Sequence, residues 1–525
     1  MRPRNVVFVL PDEWRGVSTP MAGDPNIRAP ALAHLAQQSV SFSNAISGSP
    51  VCASYRATLI SGRSVLDHGV FLNDVPLTGD FTSLGEALGA AGYATAWIGK
   101  WHLDGPNRGG WTPPERRRGF NYWRAQNLCH DPFAELYYGD DPEPRYWDGW
   151  APEAQTADAL SFAADRVDAD EPFALFLSWG PPHDPLISPL SAPRFKPAEL
   201  QIRDNVDPTL EDLTRRHLAA YYSCCTGLDT CLATLMAGLR TLGIENDTLV
   251  VWTSDHGTMM GSQGRWNKQQ PWEESIGVPL LMRWPAALAP RTEDAVVDTP
   301  DLMPTLLGLC GIQPPETCVG RDLSDALTAA APLPDEPALL QSVSPFGRWA
   351  HGREYRGIRT RTHTYVRDLD GPWLLYDNVS DPFQLRNLVA DSEPFEGQLQ
   401  ARIGPFLSAE EHRSQWGYEP DATGAMPTAH LDFLTPLQRL RKRVRQAALD
   451  PGYMWGDQGH GPVSVWQALH DRKAAGEDLS DETVYIDGLS APFSAEFLLT
   501  TVQPHRDPRW FVRAWAIERL RGAGA

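Results

Sequence analysis

Acidic and imidazole side chains follow two of the apolar runs in this chain. Asp12 and Glu13 come after the first run, and Asp255 and His256 come after a later one. Clustered carboxylates need a compensating positive charge, and oxygen ligands with one imidazole suit Ca²⁺, Mg²⁺ or Mn²⁺. Either pair alone is more often a helix cap or a solvated turn. Two pairs in matching positions predict the two halves of a metal site.

A cysteine and an arginine stand four positions apart in a segment that ends at Gly62. Residues 54–61 contain no Gly or Pro, so the sequence predicts a helix that begins just after Cys52 and that Gly62 ends. Residue 52 would then lie at a helix N-terminus, which favours an anion. Arg56, one turn further along, can hold the group at position 52 or a bound oxyanion. The alternative is a buried structural cysteine beside a surface arginine.

The elements that must position these side chains follow from the apolar pattern. Continuous apolar runs predict strands at Val6–Leu10, Ala94–Ile98, Phe173–Ser178 and Thr248–Thr253. Amphipathic patterns predict helices at Pro30–Gln38, Leu84–Ala91, Thr156–Val167, Leu210–Leu239 and Leu302–Leu309. This alternation predicts an α/β fold with a large, mainly parallel sheet sandwiched by helices. Functional groups collect beyond the carboxyl ends of such strands, where Asp12, Lys100, His183 and Asp255 stand.

The pattern changes after about residue 330. Short strands are predicted at Ala338–Val343, Gly357–Thr360, Thr364–Val366 and Trp373–Tyr376. We therefore predict a catalytic α/β domain at 1–330, a small antiparallel sheet subdomain at 331–400, and a helical and irregular extension at 401–525. Two roles are open for the extension, a lid over the pocket and an oligomerisation arm, of which the second implies a homo-oligomer.

The bulk composition narrows the classes of partner. A net charge of −20 argues against nucleic acid, because phosphate binding needs a basic surface. Seven cysteines, two of them adjacent at Cys224 and Cys225, do not resemble a disulfide framework and are read as reduced thiols. The apolar run near the N-terminus is too short for a signal peptide or a membrane span. The sequence thus predicts a cytoplasmic protein without a membrane partner.

Taken together, the motifs resemble those of the sulfatases, formylglycine-dependent (type I) enzymes of the alkaline phosphatase superfamily. Residues 52–63 resemble the family signature, in which the cysteine is oxidised to formylglycine; Ser54 stands where that signature has Pro. The other matching segments are residues 10–13, 68–73, 99–103, 182–185, 254–257 and 266–279. The resemblance extends over roughly residues 3–400 and implies an alkaline-phosphatase-like fold.

The resemblance implies a metal site and a nucleophile. Its ligands would be Asp12, Asp255, His256 and the modified Cys52, together with Glu13, which replaces the family's second Asp. Ca²⁺ is the first expectation for the ion, with Mn²⁺ and Mg²⁺ open because imidazole is a softer ligand. Formylglycine at position 52 would be the nucleophile, held by Arg56 and the ion.

The remaining matches imply substrate contacts. Lys100, His183 and Lys268 would bind the sulfate oxygens, and Asn73 would contact the substrate or the metal. His102 would be the base that returns the nucleophile to its aldehyde. Either Lys268 or His183 would protonate the departing alcohol.

The implied activity is hydrolysis of sulfate esters. Its partners would be a small-molecule sulfate ester, aryl or carbohydrate, and a formylglycine-generating enzyme during maturation. One alternative is a phosphonate monoester or phosphodiester hydrolase of the same superfamily. Another is a binding protein on the same scaffold, which would be expected to lack Cys52, Arg56 or the metal carboxylates, all present here apart from the change at Glu13.

Overall fold

The fold is described from a computed structural model. It covers residues 2–403 apart from 71–72, 74, 106–108, 343–354 and 369–370, with a few short stretches between 472 and 494. The predicted extension at 401–525 therefore lies almost entirely outside the described residues. None of the described helices is long and apolar enough to cross a membrane.

Sixteen strands and ten helices are present in the described residues. The strands are β1 Asn5–Val9, β2 Val40–Ile46, β3 Ala94–Lys100, β4 Tyr122–Gln126, β5 Leu136–Tyr137, β6 Arg145–Tyr146, β7 Phe173–Ser178, β8 Thr248–Thr253, β9 Gly277–Arg283, β10 Arg291–Asp298, β11 Ala338–Ser342, β12 Tyr355–Arg359, β13 His363–Asp368, β14 Gly371–Asp377, β15 Thr483–Val484 and β16 Phe493–Ser494. The helices are α1 Pro30–Gln37, α2 Cys52–Ser61, α3 Val65–His68, α4 Leu84–Ala90, α5 Ala151–Asp168, α6 Glu211–Thr241, α7 Glu273–Ile276, α8 Thr299–Leu309, α9 Ser324–Thr328 and α10 Glu393–Ile403. Single 3₁₀ turns occur at Pro114–Arg116, Pro197–Glu199, Pro208–Leu210 and Val389–Asp391.

Eight strands form the main sheet, in the order β10-β2-β9-β8-β1-β7-β3-β4. Strand β9 pairs antiparallel with both of its neighbours, while the other five pairings are parallel. The prediction of a large, mainly parallel sheet is confirmed. Its centre is buried on both faces, since every residue of β1, β7 and β8 is buried.

Successive side chains of a strand point to opposite faces of the sheet. Because the side chains on both faces of the central strands are buried, helices cover both faces. Val6 and Phe8 pack in one core cluster with residues of α2, α4 and α8. Val7 and Val9 pack in a second cluster with α1, α5 and α6. The predicted sandwich of helices around the sheet is thus confirmed.

A second sheet, in the order β11-β12-β13-β14, is antiparallel throughout. Its Ala338, Leu340 and Tyr355 share a core cluster with Ile46 and Val296 of the main sheet. The backbone N–H of Gln341 in β11 also donates to the carbonyl of Gly48, at 2.7 Å. The small antiparallel sheet is confirmed, whereas the domain limits at 330 and 400 stay predictions.

Candidate active site

The carboxyl ends of four adjacent strands bring the chemically active side chains together. Strands β8, β1, β7 and β3 lie side by side and run parallel. Asp255, Asp12 and His183 therefore emerge beside Lys100 at one edge of the sheet. All four side chains are buried, so their charges act on one another with little screening by water.

Helix α2 places residue 52 at its first position. Val51 is the extended N-cap residue, and Gly62 ends the helix in the left-handed conformation at φ 64°, as predicted. The backbone N–H of Ala53, free of any helical partner at this end, donates to Asn73 Oδ1 at 3.1 Å. Asn73 thus fixes the start of α2, and its contact with substrate or metal stays a prediction.

Four of the five predicted metal ligands converge on one point. Ligand atoms of Asp12, Cys52, Asp255 and His256 all lie within 4.8 Å of one another, and all four residues are buried. His256 Nε2 is 3.1 Å from Cys52 Sγ, while Nδ1 contacts the Gly257 carbonyl at 2.9 Å. A proton on Nδ1 leaves Nε2 free to bind a metal. Two carboxylates, an imidazole and the position 52 side chain make a donor set that fits a divalent cation.

Arg56 binds the carboxylate side of this group. Its Nε and Nη2 donate to Asp255 Oδ2 at 3.2 and 3.1 Å, and its Nη1 donates to the carbonyl of Lys100 and to Ser178 Oγ, both at 2.7 Å. The guanidinium is wholly buried. The described hydrogen bonds of Arg56 thus go to Asp255 and the strand ends, and its role in holding the group at position 52 or an oxyanion stays a prediction.

The two buried carboxylates of this group have pKa values shifted in opposite directions. Burial and the Cys52 charge raise the pKa of Asp12, but Lys100, which contacts its carboxylate directly, and the more distant His183 and Lys268 outweigh them and hold it well below its usual value. Burial and the Asp12 charge leave the pKa of Asp255 raised, despite His256 and Arg56. The two carboxylates thus repel each other, which a bound cation would relieve.

Glu13 faces a different part of the site from the other predicted ligands. Its Oε2 lies 3.3 Å from both Lys268 Nζ and His183 Nε2, in a second potential ligand group with Asp12 and His183. Its backbone, at φ 72°, lies in the left-handed region, which is strained for a residue with a side chain. The backbone N–H of Glu13 donates to Asp255 Oδ1 at 3.1 Å. Its role as a metal ligand stays a prediction.

Lys268 and His183 form a close pair. Lys268 Nζ lies 2.6 Å from His183 Nε2, and His183 Nδ1 lies 2.7 Å from the Asp184 carbonyl. The ring donates from Nδ1, and its Nε2 faces both Lys268 and Glu13. Burial and Lys268 lower the pKa of His183, but Glu13, Asp184 and Asp12 raise it well above its usual value. Burial lowers the pKa of Lys268, but the charges at Cys52, Glu13 and Asp12 raise it well above its usual value. Lys268 thus carries a fixed positive charge toward the site.

The unmodified thiol at position 52 is strongly acidic. Burial raises its pKa, but the charges of Lys100, Lys268 and His256 and a hydrogen bond from His102 hold that pKa well below its usual value. His102 lies beside it in the left-handed backbone region, at φ 62°. An anionic group at position 52 is therefore strongly favoured in this setting.

Sequence reasoning missed three residues of this region. Ser178 binds Arg56, His130 stacks on His183 with ring centroids 4.4 Å apart, and Glu135 lies in the cleft beside Lys100. Ser178 ends a predicted strand and the other two stand in loops. Nothing in their spacing distinguished them from solvated polar residues.

Comparisons with known proteins agree with this geometry. The chain matches the family model described as Sulfatase over residues 4–312 and the one described as N-sulphoglucosamine sulphohydrolase, C-terminal, over residues 261–406. An ulvan-active sulfatase from Formosa agariphila is 39% identical over 416 residues, covering 77% of this chain and 81% of that protein.

Solved structures share the fold. A Bacteroides fragilis protein assigned to the sulfatases has a TM-score of 0.70 at 29% identity, covering 77% of this chain and 95% of its own. The phosphonate monoester hydrolase of Agrobacterium radiobacter has a TM-score of 0.61 at 24% identity, covering 81% and 99%, a likeness that concerns the fold.

These matches and the buried site at the strand ends define a hydrolase of the alkaline phosphatase superfamily. Within it, the chain belongs to the sulfatase family and is a sulfuric ester hydrolase. The family implies a metal ion, for which the group around Asp12 and Asp255 offers a place.

Proposed function

We propose that the protein hydrolyses its sulfate ester through a formylglycine at position 52 beside one divalent metal ion. The observation that carries this proposal is the buried group of position 52, two carboxylates and an imidazole, with ligand atoms within 4.8 Å of one another. Arg56 and Lys100 balance the carboxylate charge from the other side.

Asp12, Asp255, His256 and the modified residue 52 would hold the ion, while Glu13 belongs to a second potential ligand group with Asp12 and His183. When bound, a divalent cation supplies charge stabilisation for the sulfate oxygens. We propose Ca²⁺, with Mn²⁺ and Mg²⁺ as alternatives, since the donor set is mainly oxygen.

A formylglycine hydrate has two hydroxyl groups on one carbon, which a thiol lacks. One hydroxyl can take up the sulfuryl group, and the other can then expel it as sulfate while the aldehyde re-forms. His102 is the base that we assign to this second step, since its ring lies close enough to the side chain at position 52 to lower the pKa of the thiol there. Lys100 and Lys268 face the same group from two sides and would stabilise its negative charge.

The leaving alcohol needs a proton. Lys268 and His183 share a hydrogen bond of 2.6 Å, and Asp184 fixes the His183 ring from the opposite nitrogen. We assign the proton transfer to this pair, which can pass one proton outward while Glu13 stabilises the charge that remains.

We propose a sulfated carbohydrate as the substrate class, with an aryl sulfate as the alternative. In its favour are the matching description N-sulphoglucosamine sulphohydrolase and the ulvan-active relative. Phosphonate or phosphodiester hydrolysis is the second candidate activity, favoured by the shared fold with a phosphonate monoester hydrolase. The ratio of rates on 4-nitrophenyl sulfate and a 4-nitrophenyl phosphonate distinguishes the two.

A formylglycine-generating enzyme is the partner that this proposal requires during maturation. We also propose a cytoplasmic location, because all seven cysteines are free thiols and thiols stay reduced in the cytoplasm. Partners other than the substrate and that enzyme, including a second copy of the chain, stay proposals.

The test is the Cys52→Ala variant, produced with a formylglycine-generating enzyme. We expect sulfatase turnover to fall by at least about a thousandfold, because the nucleophile is lost. The matched control is Cys231→Ala, which removes another buried thiol, on α6 in the core. Near-normal activity in Cys52→Ala, or an equal loss in Cys231→Ala, would refute the proposal.

A further inference from the structure

A narrow cleft opens beside the candidate active site. Lys100 and His183, two of the proposed sulfate-binding residues, form part of its wall. His130, Glu135, Gly180 and Asp184 line the rest, with three other residues. Since the cleft begins at the sulfate-binding side chains and has room for a group the size of a water molecule, a hydroxyl of the alcohol part of a bound ester would reach into it.

Glu135 is the most distinctive group in this wall. Its side chain is buried, yet it has no arginine or lysine partner at hydrogen-bond distance among the described residues. Two amides hold it instead: Gln155 Nε2 donates to Oε1 at 2.7 Å and Gln126 Nε2 donates to the same oxygen at 3.4 Å. Gln155 is on α5 and Gln126 ends β4, so rigid elements fix the carboxylate.

The second oxygen of Glu135 faces the cleft. Oε2 lies 3.5 Å from the position that a Cβ would occupy at Gly180, another residue of the cleft wall. Within the described part of the chain, both hydrogen bonds to this carboxylate end on Oε1. Oε2 is therefore the oxygen that the cleft reaches, and it is placed to accept a hydrogen bond from a hydroxyl of a bound molecule.

The other residues of the cleft suit the same ligand. None of the described residues that line it is Trp, Tyr or Phe, so an aryl group would find no aromatic stacking partner. The rings of Trp123 and Trp150 are packed in the core. Pro132 and Pro181 offer apolar surface, while His130 and Asp184 offer polar atoms. A sugar ring has both an apolar face and hydroxyl edges.

We infer that Glu135 is a specificity-determining residue that accepts a hydrogen bond from a substrate hydroxyl near the ester, so that the enzyme selects a sulfated sugar. This inference rests on the proposed function, because it takes Lys100 and His183 to hold the sulfate. It assigns Glu135 to recognition of the alcohol and not to the chemistry at sulfur.

The test compares Glu135→Gln with the intact enzyme on two kinds of substrate at about pH 8, above the pKa of about 7 to which burial raises Glu135, so that the intact enzyme carries an ionised acceptor. One is 4-nitrophenyl sulfate, which has no hydroxyl to offer. The other is the best substrate among galactose 4-sulfate, glucose 6-sulfate and N-acetylglucosamine 6-sulfate. The glutamine keeps the shape and the Oε1 acceptor but turns the cleft-facing oxygen into a donor. We expect kcat/KM to fall about 10- to 100-fold on the sugar sulfate and to stay within about twofold on the aryl sulfate.

The control is Asp229→Asn, which alters another buried carboxylate held by two donors, the backbone N–H groups of Ala31 and Leu32. We expect it to leave the ratio of the two kcat/KM values unchanged. An unchanged ratio in Glu135→Gln, or an equal loss on both substrates, would overturn the inference alone. Failure of the intact enzyme to hydrolyse any of these sulfates would contradict the proposed function, and the inference with it.

Discussion

At the scale of single residues, the site consists of charged side chains that are buried and mutually compensated. Arg56 and Lys100 neutralise Asp255 and Asp12 on one side, and Lys268 faces Glu13 on the other. Burial of so many charges costs desolvation free energy and lowers the stability of the fold. We therefore attribute this arrangement to ligand binding and not to stability. Glu13 and His102 both lie at positive φ, where the backbone is strained. Such strain is typical of functional sites and also indicates a role in binding.

Glu135 gives a prediction for the pH dependence of stability. Burial raises the pKa of Glu135 from 4.5 to about 7. The folded protein thus keeps this proton to higher pH than the unfolded chain does, and folding loses stability as the pH rises through this range. We expect the unfolding free energy of Glu135→Gln minus that of the parent to grow by about 3 kcal/mol from pH 4 to pH 8.

Denaturant unfolding of both proteins at the two pH values measures this difference. Because the other titrating groups are common to both proteins, their contributions cancel in the comparison. A difference that is constant with pH, or larger at pH 4, would contradict the assigned titration of Glu135.

The identities of the site residues could be predicted from the sequence, but their partners could not. Asp12, Lys100, His183 and Asp255 were recognised from strand ends and motifs. The hydrogen bonds of Arg56 to Asp255 join residues 199 positions apart, and no periodicity in the chain encodes that pairing. Glu135 and His130 carry no motif, so only the three-dimensional cleft identifies them.

At the scale of elements, the four predicted strands of the main sheet are confirmed: β7 and β8 match at both ends, and β1 and β3 differ by one or two residues. Strand β9 was missed although its run GVPLLMR is largely apolar, because Pro279 is atypical of a strand interior. Strands β2 and β10 were missed because polar residues interrupt them, as in the run RTEDAVVD of β10. Helices α5 and α8 begin earlier than predicted because each has a Pro in its first turn, where proline is tolerated.

Helix α2 gives a prediction about Gly62. All ten of its residues are buried, and Gly62 ends it at φ 64°. A Cβ at this glycine would come within 2.5 Å of Cys318 Sγ. Gly62→Ala therefore adds a clash to the cost of a left-handed alanine, which is about 1 kcal/mol by itself.

Gly243→Ala is the matched control, since Gly243 follows α6 at φ 72° and has open space around its Cβ position. We expect Gly62→Ala to lower the unfolding free energy by about 1 to 3 kcal/mol more than Gly243→Ala does. We also expect it to reduce activity, because a shift of α2 moves residue 52. Equal destabilisation by the two variants would show that the packing around Gly62 does not position the helix.

At the scale of the whole molecule, a strongly acidic protein binds an anionic substrate. The net charge is −20, so the potential far from the site repels a sulfate ester. Lys100 and Lys268 reverse that sign locally. The buried carboxylates behind them repel each other, and a bound cation would relieve this repulsion.

Removal of the metal ion should therefore destabilise the protein as well as inactivate it. We expect dialysis against a chelator to lower the Tm, and Ca²⁺ at about a hundred times its Kd to restore about 2.7 kcal/mol of stability. Asp255→Asn should lose most of this Ca²⁺-dependent shift, because one carboxylate ligand is gone. A Tm that changes neither with the chelator nor with added Ca²⁺, Mn²⁺ or Mg²⁺ would contradict a metal ion held by Asp12, residue 52, Asp255 and His256.

The central claim concerns the chemical identity of residue 52, and it can be measured directly. The peptide that contains this residue, taken from active enzyme produced with a formylglycine-generating enzyme, is analysed by mass spectrometry. We expect the mass of the aldehyde or its hydrate, in a proportion that rises with specific activity. Full sulfatase activity in protein whose residue 52 is entirely cysteine would contradict it.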